Sequence, residues 1–209
     1  QILYTGCDIS HWQGKIDFSE LAKNVDFCIL KIGGSDNADF GYIDAKFEEY
    51  YKACKAYKIK VGGYWFAGPY AYGSQAGERE AKYTLSAIKD KSFEMPIYID
   101  FEKGKNARKT ENTNYITTFC NYLENRKYFV GIYGSDINTF KYMVDYPKIK
   151  SRYSLWVARY GHEPIYATKY AMWQYSSTGK LNGITGNVDL DYCYTNLPKV
   201  ITSKHFNNC

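Results

Sequence analysis

No apolar run in this chain approaches the ~20 residues needed to cross a bilayer, so no segment reads as a membrane-spanning helix and no membrane insertion is expected. A basic tract is also missing. The densest positive group, Lys103-Gly104-Lys105 with Arg108 and Lys109, reads as a solvated loop rather than a nucleic-acid patch. No C-x-x-C and no Cys/His spacing of a zinc site occurs, and His11, His162 and His205 form no cluster, so neither a metal nor another cofactor is expected. No G-x-G-x-x-G opens a helix, because Gly62-Gly63 falls inside a strand-like run; a dinucleotide fold would lack its phosphate cradle. There is no Asn-x-Ser/Thr triplet to mark a glycosylation point. With 5 prolines and no linker or low-complexity stretch, residues 1–209 are expected to form one domain, with a core over about 3–194 and an extension at 195–209.

What the chain does contain is ring surface. Among 209 residues there are 23 Tyr, 11 Phe and 4 Trp, or 18% aromatic, more amphipathic ring than a core alone requires. Such rings suit carbohydrate, although tyrosine packs equally well in any core whose edge reaches water. Hydrophobic residues at 45%, charged residues at 23% and a mean hydropathy of −0.50 are those of a soluble globular chain. Lys plus Arg exceed Asp plus Glu by 27 − 22, or +5, scattered along the chain, which favours approach to an anionic polymer such as a bacterial wall. Cys7, Cys28, Cys54, Cys120, Cys193 and Cys209 read as disulfide partners, and hence as the mark of an oxidising compartment. A first residue of Gln1, with no methionine, is what a processed secretory product would show, so a secreted or lumenal location is expected.

The organisation is an alternation. Strand-like runs at Tyr4–Ile9, Val25–Ile32, Lys60–Ala67, Pro96–Glu102 and Phe129–Tyr133 are each followed by a helical pattern, at Asp17–Lys23, Ile43–Tyr57, Ser74–Lys89, Thr110–Asn125 and Ser135–Val144. Thr110 is a candidate N-cap, with Glu111 in the first turn where the helix dipole favours it. After Val144 the rhythm changes: Ser154–Ala158, Tyr170–Tyr175 and Val188–Tyr192 are separated by turns instead of long helices. Five βα units and three further strands predict an α/β fold, an irregular eight-stranded barrel of the TIM type, (β/α)5(β)3.

In such a barrel the C-terminal strand ends share one face, and that face holds the active site. Asp8 closes the first strand, Asp100 and Glu102 the fourth, and Asp189 with Asp191 the last. Ile97, Ile99 and Phe101 alternate with Tyr98, Asp100 and Glu102, so the two acids point the same way with Cα atoms roughly 6–7 Å apart. A single strand-end acid is commonly a cap or an ion pair; several converging on one rim need a use, because buried charge is costly. Clustered carboxyls without histidine suit glycoside hydrolysis, in which one carboxyl is protonated to donate to the leaving oxygen while another stays ionised. Mutual repulsion raises the proton affinity of at least one of them.

Gly6-Cys7-Asp8-Ile9-Ser10-His11-Trp12-Gln13-Gly14 with Ile16-Asp17-Phe18, Gly62-Gly63-Tyr64-Trp65-Phe66-Ala67, Pro96 to Glu102, Trp156-Val157-Ala158-Arg159-Tyr160, Trp173-Gln174-Tyr175-Ser176 and Gly186-Asn187-Val188-Asp189-Leu190-Asp191 occur in order over residues 3–194. Together they resemble glycoside hydrolase family 25, the Chalaropsis-type muramidases. The resemblance implies cleavage of the β-1,4 bond between N-acetylmuramic acid and N-acetylglucosamine in peptidoglycan; a monomer is expected. It implies Glu102 as proton donor and Asp100, Asp8 and Asp189 as the remaining catalytic carboxyls, with Asp191 in a place where other members often carry Asn. Tyr64, Trp65, Tyr133, Trp156, Tyr160, Trp173 and Tyr175, all near strand ends, are expected to bind sugar together with Asp191, with at least one of the tryptophans turned to the core. Two departures are visible: many members have a Glu where this chain reads Lys31-Ile32-Gly33-Gly34-Ser35, and a His where Trp65 stands. The alternatives are a chitinase-like hydrolase and a wall-binding barrel without turnover.

Overall fold

Period-two strands and amphipathic helices alternate along the computed structural model, which describes residues 1–37 and 41–209. β1 (Tyr4–Ile9) leads to α1 (Phe18–Leu21), and β2 (Phe27–Gly34) leads to the short β3 (Tyr42–Ile43) and α2 (Phe47–Ala56). β4 (Lys60–Ala67) is followed by α3 (Gly73–Ile88), and β5 (Ile97–Phe101) by α4 (Lys109–Glu124). β6 (Val130–Ser135) leads to a π-helical turn at Asn138–Met143 and to α5 (Tyr146–Lys150). β7 (Ser154–Ala158), β8 (Met172–Gly179) and β9 (Val188–Cys193) complete the wall, and α6 (Leu197–Ser203) follows.

β1, β2, β4, β5, β6, β7 and β8 run parallel in that order, and β9 runs antiparallel between β8 and β1, closing an eight-stranded cylinder. β3 pairs only with the end of β2. The architecture is therefore the expected one, five βα units and three closing strands. Closure removes the unpaired edges that an open sheet would expose.

Local differences have local causes. α1 starts at Phe18 because Asp17 caps it, its Oδ1 accepting from the amides of Ser19 (3.0 Å) and Glu20 (3.2 Å). α4 starts at Lys109, so Thr110 lies inside the first turn and is not the cap. Ser135 belongs to β6, paired with Ala158, while its hydroxyl accepts from the Thr139 amide at 3.1 Å and starts the helical turn after it. No helix among the described residues is long and apolar enough to cross a membrane.

Alternation on each strand divides the apolar residues between two cores. Ile97, Ile99 and Phe101 of β5 face outward to the helices, while Tyr98 faces the barrel interior with Phe27, Ile29, Met95, Trp156, Met172 and Cys193. Each buried ring or aliphatic side chain of this kind contributes on the order of 2 kcal/mol. Gly131 makes the interior aromatic packing possible: a Cβ there would lie 2.4 Å from the Tyr98 ring. Below, residues after β9 close the floor. Asn207 is fully buried, accepts from the Phe129 amide (2.7 Å) and donates to the Phe93 and Met95 carbonyls (3.2 and 3.0 Å).

The disulfide expectation is corrected: all six cysteines are free thiols. Cys7 and Cys28 are direct partners on β1 and β2 with sulfurs 3.6 Å apart, far beyond the roughly 2.05 Å of a disulfide bond. They and Cys54 of α2 pack as small apolar groups in the outer core; Cys120 does the same on α4, and Cys193 lies in the barrel interior.

Candidate active site

The seven parallel strands end on one rim, and the backwards-running β9 begins there, so their inward side chains meet in a cavity of about 250 Å³. Asp8 comes from β1, Tyr64 and Phe66 from β4, Asp100 from the end of β5, Tyr133 from β6, Trp156 from β7, Gln174 from β8 and Asp189 from the start of β9. Glu102, one residue past β5, stands at the mouth with Trp12, Ser10, Lys31 and Asp36.

Five carboxyls therefore converge, Asp8, Asp100, Glu102 and Asp189 with Asp36 at the mouth. Asp8 and Asp189 are directly paired across β1 and β9, so their side chains lie on the same face. Opposite them, Asp100 and Glu102 interact as a pair. Burial holds the Asp100 carboxyl well above the ordinary carboxylate range, and the neighbouring Glu102 charge pushes it further, with Lys31 opposing. Desolvation also raises Glu102, although its side chain reaches solvent at the mouth; the pair thus retains a proton that an exposed acid would lose. Asp100 Oδ1 is buried and has no hydrogen-bond partner among the described residues. A buried acceptor in that condition calls for a proton or a donor from a bound molecule.

On the other wall, burial raises Asp8 well above its ordinary value, reinforced by the charges of Asp191 and Asp189 and opposed by the amide of Gln174. Asp189 is raised by burial as well. Asp191, expected to bind substrate, is corrected: it does not line the cavity. It lies beneath, fully buried, its Oδ1 accepting from Trp156 Nε1 at 2.7 Å, and desolvation pushes its carboxyl well up.

The aromatic expectations divide by strand parity. Tyr64, Tyr133 and Trp156 line the cavity, the Trp156 ring centroid 4.4 Å from that of Tyr133 and 6.3 Å from that of Tyr64. Tyr160, half exposed at the rim, donates to Gln174 Oε1 at 2.8 Å. Trp65 must be corrected: flanked on β4 by the inward Tyr64 and Phe66, it points outward into the helical layer, with 0% exposure. Its Nε1 donates to Glu80 Oε2 at 2.8 Å, which also accepts from the hydroxyls of Tyr115 (2.5 Å) and Ser35 (3.0 Å). The departure at Trp65 therefore does not touch the cleft, whereas the one at Lys31 does. Trp173 and Tyr175 are corrected for the same reason: Gln174 between them points inward, so they face the outer side of β8. Trp173 Nε1 donates to the Arg159 carbonyl at 2.8 Å, and Tyr175 stacks on Tyr192 at 4.0 Å.

Residues not anticipated as site members are Gln174, Lys31, Asp36, Ser10, Trp12 and Phe66. Phe66 and Gln174 were accessible from parity alone, as i+2 and i+1 neighbours of named residues. Trp12, 81% exposed, projects from the turn after β1 as a bare ring at the mouth. Lys31 Nζ donates to Tyr42 Oη at 2.7 Å, which donates to Asp36 Oδ1 at 2.7 Å; this chain runs through residues with no sequence signature. Among the described residues, no group of three or more His, Cys, Asp and Glu is placed to hold a metal ion.

A βα barrel whose mouth gathers carboxyls and sugar-sized ring surface defines a class, the barrel-type glycoside hydrolases. The family model described as glycosyl hydrolases family 25 matches residues 7–184, and the chain belongs to that family. It is 26% identical over 188 residues to an autolytic lysozyme of Clostridium acetobutylicum, covering 89% of this chain and 54% of that protein, so it spans about half the relative's length. Among solved structures, it superposes on the Clostridium perfringens spore cortex lytic enzyme SleM with a TM-score of 0.78 at 26% identity, covering 92% of this chain and 67% of that one. The Streptomyces coelicolor lysozyme shares the fold, with a TM-score of 0.76 at 24% identity over 95% of this chain and 97% of that one.

Proposed function

We propose that this chain is an N-acetylmuramidase, hydrolysing the β-1,4 bond between N-acetylmuramic acid and N-acetylglucosamine of bacterial peptidoglycan. The observation that carries the reading is the placement of the Asp100–Glu102 pair opposite Asp8 and Asp189 across one cavity at the C-terminal strand ends. Glu102, at the mouth and in proton-sharing contact with Asp100, donates a proton to the bridging oxygen as the bond to the sugar breaks; water then supplies the hydroxyl to the anomeric carbon and returns a proton to the carboxyl cluster. Asp100 offers its unpaired Oδ1 to the N–H of the substrate acetamido group. Asp8 and Asp189 supply negative charge where the ring becomes oxocarbenium-like. Tyr64, Tyr133 and Trp156 form the floor and Trp12 a stacking face at the rim.

All these residues come from one chain, which supports action as a monomer. The substrate lies outside bacterial cells, which supports export or delivery to a compartment that receives bacteria, with bacteriolysis as the outcome. The test is reducing-end analysis of digested Gram-positive walls by mass spectrometry. New muramic acid ends are expected; new glucosamine ends, or release from soluble chitin without lysis of walls, would overturn the assignment. Wall binding without new reducing ends would establish a barrel without turnover.

A further inference from the structure

The acid cluster is held by a residue that carries no charge. We propose that Gln174 is a positioning residue: its carboxamide, clamped by Tyr133 and Tyr160, holds Asp8 and Asp189 as hydrogen-bond acceptors facing the Asp100–Glu102 pair. The inference rests on the muramidase reading for its consequence, but its geometry stands apart from it.

Gln174 is 2% exposed and every polar position of its amide is occupied. Oε1 accepts from Tyr133 Oη at 2.7 Å and from Tyr160 Oη at 2.8 Å. Nε2 donates to Asp8 Oδ2 at 2.7 Å and to Asp189 Oδ2 at 3.4 Å. Two donors meet the carbonyl and two acceptors meet the amino group, so the reverse orientation would set a carbonyl oxygen against two carboxylates. The backbone contributes to this aim. Gln174 is paired with Asp191 on β9, and the register slips between Gln174 and Ser176, the kind of irregularity that redirects a side chain beside an active site.

The consequence falls on Asp8. A neutral donor opposes, without adding charge, the rise in proton affinity that burial and the neighbouring aspartates impose on Asp8. The groups facing Asp8 are Lys31 from β2 and Asp36 just after it, Tyr64 from β4, Asp100 from β5 and Glu102 just after it, Tyr133 from β6, Tyr160 beyond β7, and Asp189 and Asp191 from β9. Two cations act on the cluster: Lys31, which lines the cavity, on Asp100, and Lys103 on Glu102. Without Gln174, Asp8 would retain its own proton to higher pH and withdraw its charge from the site.

The test compares the wild type with Gln174→Met, which keeps the length and removes both donors, and with Tyr160→Phe, which releases one side of the clamp at a half-exposed position. The titration of 13C-labelled aspartate carboxyls is followed by NMR, with Asp8→Asn and Asp189→Asn spectra assigning the signals. In Gln174→Met the Asp8 midpoint is expected to move up by about half a pH unit or more, and in Tyr160→Phe by less in the same direction. In wall lysis, the acidic limb of the pH profile should rise with it, and kcat should fall roughly tenfold or more while KM stays within about twofold. A purely structural role would lower the melting temperature and leave both readouts in place. Unmoved Asp8 midpoints in Tyr160→Phe and in folded Gln174→Met would overturn the proposal; if Gln174→Met does not fold, Tyr160→Phe decides alone. The carboxyl titration answers this whether or not walls are cleaved, so failure of the positioning role and failure of the muramidase reading are separate results.

Discussion

Asp191 offers a clean test of the electrostatics, because it is fully buried, lies below the cavity and has one oxygen, Oδ2, with no partner among the described residues. Desolvation raises its carboxyl well above the ordinary value, and the nearby Asp189 charge adds to the effect. A carboxyl whose folded-state proton affinity is raised favours the native state least when the unfolded chain would be ionised. The penalty is therefore absent below the unfolded pKa of about 4, grows as pH rises, and reaches its full size above the folded value. Asp191→Asn removes that penalty. Its carbonyl can still accept from Trp156 Nε1, and its amino group donates where Oδ2 stood orphaned, toward Asp8. Satisfying one buried polar atom is worth about 1–3 kcal/mol. For a chain of this size that is a rise of roughly 2–10 °C in melting temperature. Calorimetry at neutral pH and at mildly acid pH should show a more stable variant at the first and a vanishing difference at the second. A destabilised Asp191→Asn at neutral pH, or a gain equal at both, would refute the account of the buried cluster.

Glu102→Gln should lower wall lysis by about 10²–10⁴-fold with an unchanged circular dichroism spectrum; a variant keeping a tenth of the rate or more would remove Glu102 from the donor role. Wild-type activity should peak at mildly acid pH, and Asp100→Ala should shift the basic limb upward, because the Asp100 hydrogen bond that opposes the rise of the Glu102 carboxyl is lost; an unchanged or lowered limb contradicts the coupling. Trp12→Ala should raise KM by roughly 2–10-fold without a change in melting temperature, since its exposed ring contributes stacking and little packing. Trp65→Phe should do the reverse, lowering the melting temperature by several degrees, about 1–3 kcal/mol for the donor lost to Glu80, while KM holds. Thiol titration after denaturation without reductant should find six reactive cysteines; four or fewer would restore a disulfide between neighbours such as Cys7 and Cys28.

The barrel was legible because its signal is periodic: alternation of strand and helix patterns is repeated five times, and tertiary packing had no reason to override it. The carboxyls were legible for a related reason. Asp8, Asp100 and Glu102 follow apolar strand runs, and topology alone carries such positions to a common rim. Parity was the harder part. Trp65, Trp173 and Tyr175 sit at strand ends like Tyr64, Tyr133 and Trp156, and only the identity of the inward neighbour decides which ring meets solvent and which meets a helix. Lys31, Tyr42 and Asp36 could not be read at all, because their contact joins β2, β3 and the turn between them. The cysteines misled for a physical reason: two thiols side by side on adjacent strands pack as apolar groups without needing a bond.

The tail that carries Asn207 gives the barrel a stopper at the end remote from its chemistry. Each heightened proton affinity at the rim depends on dryness, and that dryness is shared along one apolar cluster from Met95 and Tyr98 up to Trp156. A chain trimmed after β9 would admit water from underneath and weaken the acid's hold on its proton. The working pH of such an enzyme is thus set partly by residues that never come near a sugar.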